Sequence, residues 1–228
     1  MDDEYYDGLK RVNPGYGKPK FSRRELLDIL VAVVVLSVAF TVLYRKGSIL
    51  EFFEIKLGSG LEYVGLFGLC LVLVTISFLF HEFGHKFVAQ KHGLWSEFRM
   101  WPLGLALTLI TPLIGFLFAS PGAVYIAGDM DSDTNGKVSI AGPIVNIVFC
   151  AIGILGWIAF NGTDFIVFFM LLANLNAFLA LFNLLPIPPL DGSKVITWNL
   201  GIWIVAIGIA VAELACLMFC MPEAYYMV

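Results

Sequence analysis

Charged side chains are scarce in this sequence of 228 residues. They make up 14% of the chain, whereas a soluble domain carries about 25%, and hydrophobic residues reach 59% with a mean hydropathy of +0.86. This composition excludes an ordinary soluble domain and indicates a membrane protein of one domain. The net charge of -4 is small, and the lack of a basic patch argues against nucleic acid as a partner.

Cysteine is also scarce, and its spacing does not suit a metal site. The four cysteines lie in apolar segments without a C-x-x-C pair: Cys70, Cys150, Cys216 and Cys220. These positions predict buried, reduced thiols and exclude a sulfur-ligated metal. The chain starts without the apolar core of a signal peptide, and residues 1–25 are polar and rich in glycine and proline. We expect residues 1–25 to form a cytoplasmic tail.

Long apolar runs, by contrast, are abundant. About 20 apolar residues suffice to cross a bilayer. The runs near that length are Leu26–Tyr44, Leu61–Phe80, Ile140–Phe160, Phe165–Leu185 and Gly201–Met221. Basic residues precede the first run, at Lys18, Lys20, Arg23 and Arg24, and place its start in the cytoplasm. We therefore predict an all-α, multi-pass protein of the cell membrane with about five to six transmembrane helices, its membrane domain formed by residues 26–228.

The stretch Met100–Gly128 is apolar enough to cross the membrane, but prolines and glycines interrupt it. If it crosses once, Asp191 arrives on the side opposite the end of the second run; if it enters and returns, both lie on one side. Non-helical backbone at membrane depth is tolerated where protein buries it or where it lines a wet cavity. We expect a bent or re-entrant segment, with part of it a strand in GAVYIAG. An ordinary kinked span is the alternative.

Two histidines and a glutamate end the second run, in the stretch HEFGH. The pattern HExxH is the two-histidine half-site of many zinc hydrolases. On a helix, His81 and His85 lie one above the other on one face, so both could hold one metal ion while Glu82 activates a water. The alternative for Glu82 is an ion pair with Lys86, four residues further on.

A catalytic zinc site usually has three protein ligands, so a third ligand has to be found. The remaining histidine, His92, stands next to Gly93, and we expect it at a helix end in solvent. Asp191 is the better candidate, because a carboxylate in a charge-poor stretch after an apolar run is costly unless it is paired or bound to metal. Alternatively, Asp191 is a turn residue, since Asp-Gly is a common turn pair.

Three segments, taken in order, resemble the site-2 protease family of intramembrane zinc metalloproteases. They are HEFGH at the end of one run, AGPIVN (Ala141–Asn146) on the next, and NLLPIPPLDG after a later one. The resemblance covers roughly Leu61–Lys194, which we take as the core of the domain. Within AGPIVN, Asn146 is expected to hydrogen-bond across neighbouring helices rather than to take part in catalysis. Ser193 stands where many relatives carry a second glycine, and no PDZ or CBS-type domain is evident.

The resemblance implies zinc held by His81, His85 and Asp191, with Glu82 as general base, and the single site predicts one ion per chain. It also implies a polar role near the metal for Asn183, for which the alternative is a cap at its helix end, and such a role near the metal is the alternative for Asn146. The implied activity is hydrolysis of peptide bonds in or near transmembrane helices of other membrane proteins, close to the cytoplasmic face. The alternatives are a catalytically silent relative that binds membrane helices, or a metal transporter.

A substrate helix has to become extended before cleavage. Its freed N–H and C=O groups then need partners where water is scarce. A strand edge in ASPGAVYIAG (Ala119–Gly128) is the predicted partner, because Val124, Tyr125 and Ile126 favour strand and an exposed edge accepts a further strand. The alternative is a plug that only seals the site.

Overall fold

The computed structural model describes residues 21–46, 60–114, 117–118 and 120–220. In chain order the helices are α1 (Arg23–Lys46), α2 (Gly60–Val74), α3 (Phe80–Lys91), α4 (Pro102–Ile110), α5 (Ser132–Ala159), α6 (Phe165–Asn183), α7 (Asp191–Trp198) and α8 (Leu200–Cys220). The strands are β1 (Trp95–Met100) and β2 (Gly122–Ala127). Most of the predicted tail, residues 1–20, lies outside the described residues.

Five described helical segments are long and apolar enough to cross a membrane. They are Arg23–Tyr44, Tyr63–Lys91, Ser132–Ala159, Phe165–Asn183 and Leu200–Cys220. The prediction of an all-α polytopic membrane protein with a short β element is confirmed.

The second span is longer than predicted. From α2 it continues through a π-helical stretch, Thr75–Leu79, into α3, so HEFGH lies within the helix rather than at its end. The helix stops at Lys91, where His92 is the C-cap and Gly93 turns the chain with a φ of 78°. Glycine adopts this left-handed conformation without the steric cost that a side chain would add.

The segment between α3 and α5 turns back on itself. β1 and β2 are antiparallel and pair along their whole length. Between them the chain forms the short helix α4 and a 3-10 turn, Thr111–Ile114. The N–H of Trp101 donates to the carbonyl oxygen of Pro121 at 2.8 Å, which holds the outgoing and returning chain together. The segment is therefore re-entrant, with a strand in GAVYIAG as predicted, and a single kinked span is wrong.

Helix α5 lies at the centre of the described bundle, against α3, α6 and α7. Its small residues allow close approach: a Cβ at Gly153 would lie only 2.6 Å from the backbone nitrogen of Ala173 on α6. In lipid, helices gain little hydrophobic attraction for one another, so such close van der Waals packing stabilises the bundle. The helix that carries HEFGH and the helix that Asp191 begins are thereby held against one common helix.

Helix α1 is fastened to α3 and β1 by a buried ion pair. The hydroxyl of Ser22 accepts the N–H of Glu25 at 3.1 Å and so caps the start of α1. Oε1 of Glu25 lies 2.8 Å from Nζ of Lys86 on α3, and neither side chain is exposed. The same Nζ donates to the carbonyl oxygen of Ser96 on β1 at 2.7 Å. A helix that sequence analysis placed by hydropathy alone is thus tied to the helix that bears HEFGH.

Candidate metal centre

His81 and His85 lie one turn apart on α3 with their ring nitrogens together. Their Nε2 atoms are 3.1 Å apart, and the residues are only 6% and 8% exposed. Side chains four positions apart share one helix face, so the sequence spacing dictates this pairing once the helix forms. The helix alone therefore brings together two nitrogen atoms that could bind one metal ion.

Asp191 reaches the same point from α7. Its Oδ2 lies 3.1 Å from Nε2 of His85 and 3.5 Å from Nε2 of His81. Ligands placed tetrahedrally at about 2.0–2.1 Å from a zinc ion lie about 3.3 Å from one another. The three ligand atoms are therefore spaced like three corners of such a tetrahedron. The Asp-Gly pair opens a helix here rather than forming the turn considered as its alternative.

Hydrogen bonds at the far side of each ring leave the Nε2 atoms free to bind a metal. Nδ1 of His85 lies 2.8 Å from the carbonyl oxygen of Val138, and a carbonyl only accepts, so Nδ1 carries a hydrogen and, in the neutral ring that binds a metal, Nε2 has the lone pair. Nδ1 of His81 lies 2.6 Å from Oδ1 of Asn146. The Nε2 lone pairs of both rings thus point toward the Oδ2 atom of Asp191. These three electron-rich atoms repel one another, and a cation bound between them would remove that repulsion. The donor set fits a bound metal ion.

The electrostatics of Asp191 agree with a ligand role. Burial raises the pKa of this carboxyl, but the positive charge and the N–H donors that the rings of His85 and His81 present when protonated lower it by more, and the net direction is below its ordinary value. Asp191 is therefore a carboxylate at neutral pH, which is the form that binds a metal.

Gly142 allows α5 to lie directly against the ligand pair. A Cβ at this position would be 2.4 Å from Nε2 of His85 and 2.7 Å from Nε2 of His81. From the other side, a Cβ at Gly84 of α3 would be 2.9 Å from the carbonyl oxygen of Ala141. HEFGH and AGPIVN therefore fit each other through their glycines, which explains physically why the two segments occur together.

Glu82 follows His81 on α3 and bonds to β2. Its Oε2 accepts the N–H of Val124 at 3.0 Å, and the residue is only 7% exposed. Lys86 pairs with Glu25 instead, so the ion pair considered as the alternative for Glu82 is wrong. Glu82 is thus a buried acidic side chain next to His81, and its role as general base stays a prediction.

The outer edge of β2 borders this carboxylate. Opposite residues in an antiparallel pair alternate between hydrogen-bonded and non-bonded positions. Phe98 stands opposite Val124, and their N–H groups donate to Glu25 and Glu82 instead of to the facing strand. The N–H of Val124 therefore points outward, and the N–H of the next residue, Tyr125, points inward to β1.

Comparison with known proteins shows which family this chain belongs to. "Putative zinc metalloprotease MJ0611" of Methanocaldococcus jannaschii is 38% identical over 187 residues, which is 81% of this chain and 89% of that relative. This chain belongs to the site-2 protease family.

Other family members match over shorter stretches. "Putative zinc metalloprotease YwhC" of Bacillus subtilis is 32% identical over 148 residues, 55% of this chain and 66% of the relative. "Zinc metalloprotease MJ0392" of M. jannaschii is 28% identical over 129 residues, 55% of this chain and 32% of the relative. No family model matches the sequence, and no solved structure matches it significantly. The relatives' names imply zinc as the metal.

Two residues considered from the sequence, Asn183 and His92, have no hydrogen bond to the ligand group in the described part of the chain. Nδ2 of Asn183 donates to the carbonyl oxygen of Leu179 at 3.0 Å, within α6. Among the described residues no hydrogen bond joins Asn183 to the ligands, and its catalytic role stays a prediction. His92 is exposed at the end of α3, with Nδ1 2.9 Å from the carbonyl oxygen of Val88, as its position beside Gly93 predicted.

Two further buried polar residues near His81, Asn176 and Ser77, were not predicted from the sequence. Both are 0% exposed, and both are hydrogen-bonded to Asn146. Asn176 stands in the run LLANLNAFLA, where an amide inside a membrane-spanning helix needs a partner, and that signal was available. The sequence did not show which helix supplies the partner.

Proposed function

We propose that this protein is an intramembrane zinc metalloprotease. It would hydrolyse peptide bonds in or near transmembrane helices of other membrane proteins, close to the cytoplasmic face. The observation that carries the proposal is the group formed by His81, His85 and Asp191, whose ligand atoms lie within 4.8 Å of one another beside the buried Glu82. The relatives' names support metalloprotease chemistry, and the apolar helices support a substrate that is itself in the membrane.

Peptide hydrolysis needs a base beside an activated water. A zinc ion held by the three ligands would supply a water of lowered pKa and polarise the peptide carbonyl. Glu82 would accept the proton of the attacking water and then deliver it to the leaving nitrogen. The backbone of α5 at Gly142 closes one side of the ligand group. The substrate would therefore approach from the side of β2.

An extended substrate would pair with the outer edge of β2. The N–H of Val124 points away from β1 and donates to Glu82. A substrate strand would accept this N–H by strand addition. Glu82 would then lose its hydrogen bond from Val124, and its carboxylate would become available to the attacking water. Binding of the substrate strand would thus free the general base at the same time.

The distribution of basic residues supports the proposed orientation in the membrane. Basic residues flank the ends of the helices nearest the ligand group, including Arg23, Arg24, Lys91 and Lys194. Such residues favour the cytoplasmic side. The protein would be a multi-pass protein of the cell membrane with a cytoplasmic N-terminus, one membrane domain over residues 26–228 with its core at 61–194, and one zinc per chain.

Reconstitution with a model transmembrane substrate tests the proposal. The wild-type chain should contain about one zinc ion and cleave the substrate. Glu82→Gln should keep its zinc and cleave about 100-fold or more slowly, because general-base catalysis contributes about 10²–10⁴-fold. Asp191→Ala should lose zinc, whereas the matched variant His92→Ala should keep it.

Each rival function gives a different result. A catalytically silent relative would bind membrane helices without cleavage by the wild-type chain. A metal transporter would move ions across vesicles whether or not Glu82 is changed. Cleavage undiminished by Glu82→Gln, or full zinc content in Asp191→Ala, would contradict the proposed site.

A further inference from the structure

A chain of buried amides runs from His81 across α5 to α6. Oδ1 of Asn146 lies 2.6 Å from Nδ1 of His81, and Nδ2 of Asn146 lies 2.9 Å from Oδ1 of Asn176. Both asparagines are 0% exposed. Intramembrane amides commonly join helices, but here one amide oxygen is directed at a ring that bears a candidate ligand atom.

The acceptors around the amides fix their orientation. Nδ2 of Asn176 donates to the carbonyl oxygen of Leu172 at 2.8 Å, so the oxygen of this amide has to face Asn146. Nδ2 of Asn146 donates to the carbonyl oxygen of Ser77 at 2.9 Å, so its oxygen has to face His81. An amide oxygen only accepts, and therefore Nδ1 of His81 carries the hydrogen and Nε2 the lone pair. The network selects the ring tautomer that binds a metal.

The backbone before His81 takes part in the same network. Ser77 lies in the π-helical stretch Thr75–Leu79, one turn before the ligand, and its hydroxyl oxygen accepts from Nδ2 of Asn176 at 2.8 Å. Single π-turns inside α-helices often occur at functional sites. The π-stretch, α5 and α6 are thus joined at one point directly behind the ligand.

We propose that Asn146 and Asn176 are positioning residues for His81. Asn146 accepts the Nδ1 hydrogen and holds the ring with Nε2 toward Asp191, and Asn176 acts through Asn146 by preventing its amide from turning over. The inference rests on the metal-binding part of the proposed function. Neither asparagine touches the metal or the substrate in this arrangement.

Zinc affinity measured on the purified full chain, by competition with a chromophoric chelator, tests the inference without reference to cleavage. Loss of a group that hydrogen-bonds a metal ligand weakens metal binding about 10–100-fold, and that loss is expected for Asn146→Leu. Asn176→Leu, which removes no contact with His81, should weaken zinc binding about 10-fold.

Asn146→Asp separates positioning from packing. Aspartate keeps an acceptor for the Nδ1 hydrogen, so it should bind zinc more tightly than Asn146→Leu does. A merely structural role predicts the reverse order, because a second buried carboxylate costs more than a leucine of similar size. The cobalt-substituted protein should also show displaced visible absorption bands in Asn146→Leu, because the ring of His81 is no longer held.

Ser37→Ala is the matched control. Ser37 is likewise 0% exposed in a membrane-spanning helix, and its hydroxyl donates to the carbonyl oxygen of Val33 at 2.6 Å, within α1. Its loss should leave zinc affinity unchanged. Unchanged zinc affinity and cobalt spectra in Asn146→Leu and Asn176→Leu would overturn the inference and leave the proposed function standing. A wild-type chain that binds no zinc would overturn both.

Discussion

Both histidine rings of the candidate metal centre are held by a hydrogen bond at Nδ1, on the side away from Nε2. The carbonyl oxygen of Val138 accepts a hydrogen bond from Nδ1 of His85, and the amide oxygen of Asn146 accepts one from Nδ1 of His81. The backbone of Gly142 fills the space beside both rings. The positions of the two rings are therefore determined mainly by α5, a helix that itself contributes none of the three candidate ligands.

Gly142→Ala should weaken zinc binding. The new Cβ would lie 2.4 Å from Nε2 of His85, so either the ring or α5 has to move. Overpacking of this kind costs about 1–3 kcal/mol, which corresponds to a loss of about 5- to 150-fold in affinity if the cost falls on the metal-binding arrangement. Chelator competition on the purified protein measures it.

Gly68→Ala is the control for this prediction. Gly68 also lies in the second membrane span, but a Cβ there meets nothing within 4 Å. Its zinc affinity should equal that of the wild-type chain. Equal affinities for Gly142→Ala and Gly68→Ala would show that the rings are not confined by α5.

At the scale of elements, the outward N–H of β2 gives a test of substrate binding. Val124→Pro removes this N–H without removing a bond to β1, and proline has no donor to replace it. The variant should keep its zinc and cleave a transmembrane substrate about 10-fold or more slowly, since one main-chain hydrogen bond contributes about 0.5–1.5 kcal/mol and alignment is lost with it.

Val124→Ala is the control, because it removes most of the side chain but keeps the N–H. The cleavage rate should fall more in Val124→Pro than in Val124→Ala. Proline at Tyr125 is not an equivalent test, because the register turns the N–H of Tyr125 toward β1. Tyr125→Pro would therefore disrupt the sheet itself. Equal cleavage by Val124→Pro and Val124→Ala would mean that β2 only seals the site.

The buried pair between α1 and α3 predicts an asymmetry between single and double variants. Lys86→Met leaves Glu25 buried without its partner and should destabilise the fold by about 3–5 kcal/mol. The double variant Glu25→Leu/Lys86→Met should recover most of this loss, although the N–H of Phe98 then lacks its acceptor. Thermal unfolding in detergent measures both.

Lys137→Met is the control for the buried pair. Lys137 and Asp133 form an exposed ion pair one turn apart on α5. Exposed pairs contribute little, so the unfolding temperature should hardly change. A double variant that is no more stable than Lys86→Met would show that the pair has a role beyond charge compensation.

For the whole molecule, the re-entrant segment predicts that the ends of α3 and α7 lie on one side of the membrane. In a background without the native cysteines, His92→Cys and Thr197→Cys should react with an impermeant maleimide only from the cytoplasmic side. Asn161→Cys, between α5 and α6, is the control and should react from outside. Opposite-side labelling of His92→Cys and Thr197→Cys would contradict the re-entrant arrangement, whereas reversal of all three would contradict only the cytoplasmic orientation.

Much of the element level follows from the sequence, because it depends on local pattern. Apolar length sets the membrane spans, and the four-residue spacing of His81 and His85 sets their common helix face. The boundaries follow less closely from the sequence: the second span continues to Lys91 because no residue before Gly93 stops the helix. Composition and local periodicity carry this information, and the family resemblance added Asp191.

Contacts between distant parts of the chain required the tertiary structure. Asp191 meets the histidines because the intervening segment returns to its starting point, and local pattern left that return open. Lys86 pairs with Glu25 of α1 rather than with Glu82, which lies on its own helix. Asn176 reaches its hydrogen-bond partner Asn146 only because α6 packs against α5. Asn146 and Asn176 are 30 residues apart in the sequence, and Glu25 and Lys86 are 61 residues apart. Contacts between such distant residues form only where their helices approach each other, and the packing of the whole bundle determines where that happens.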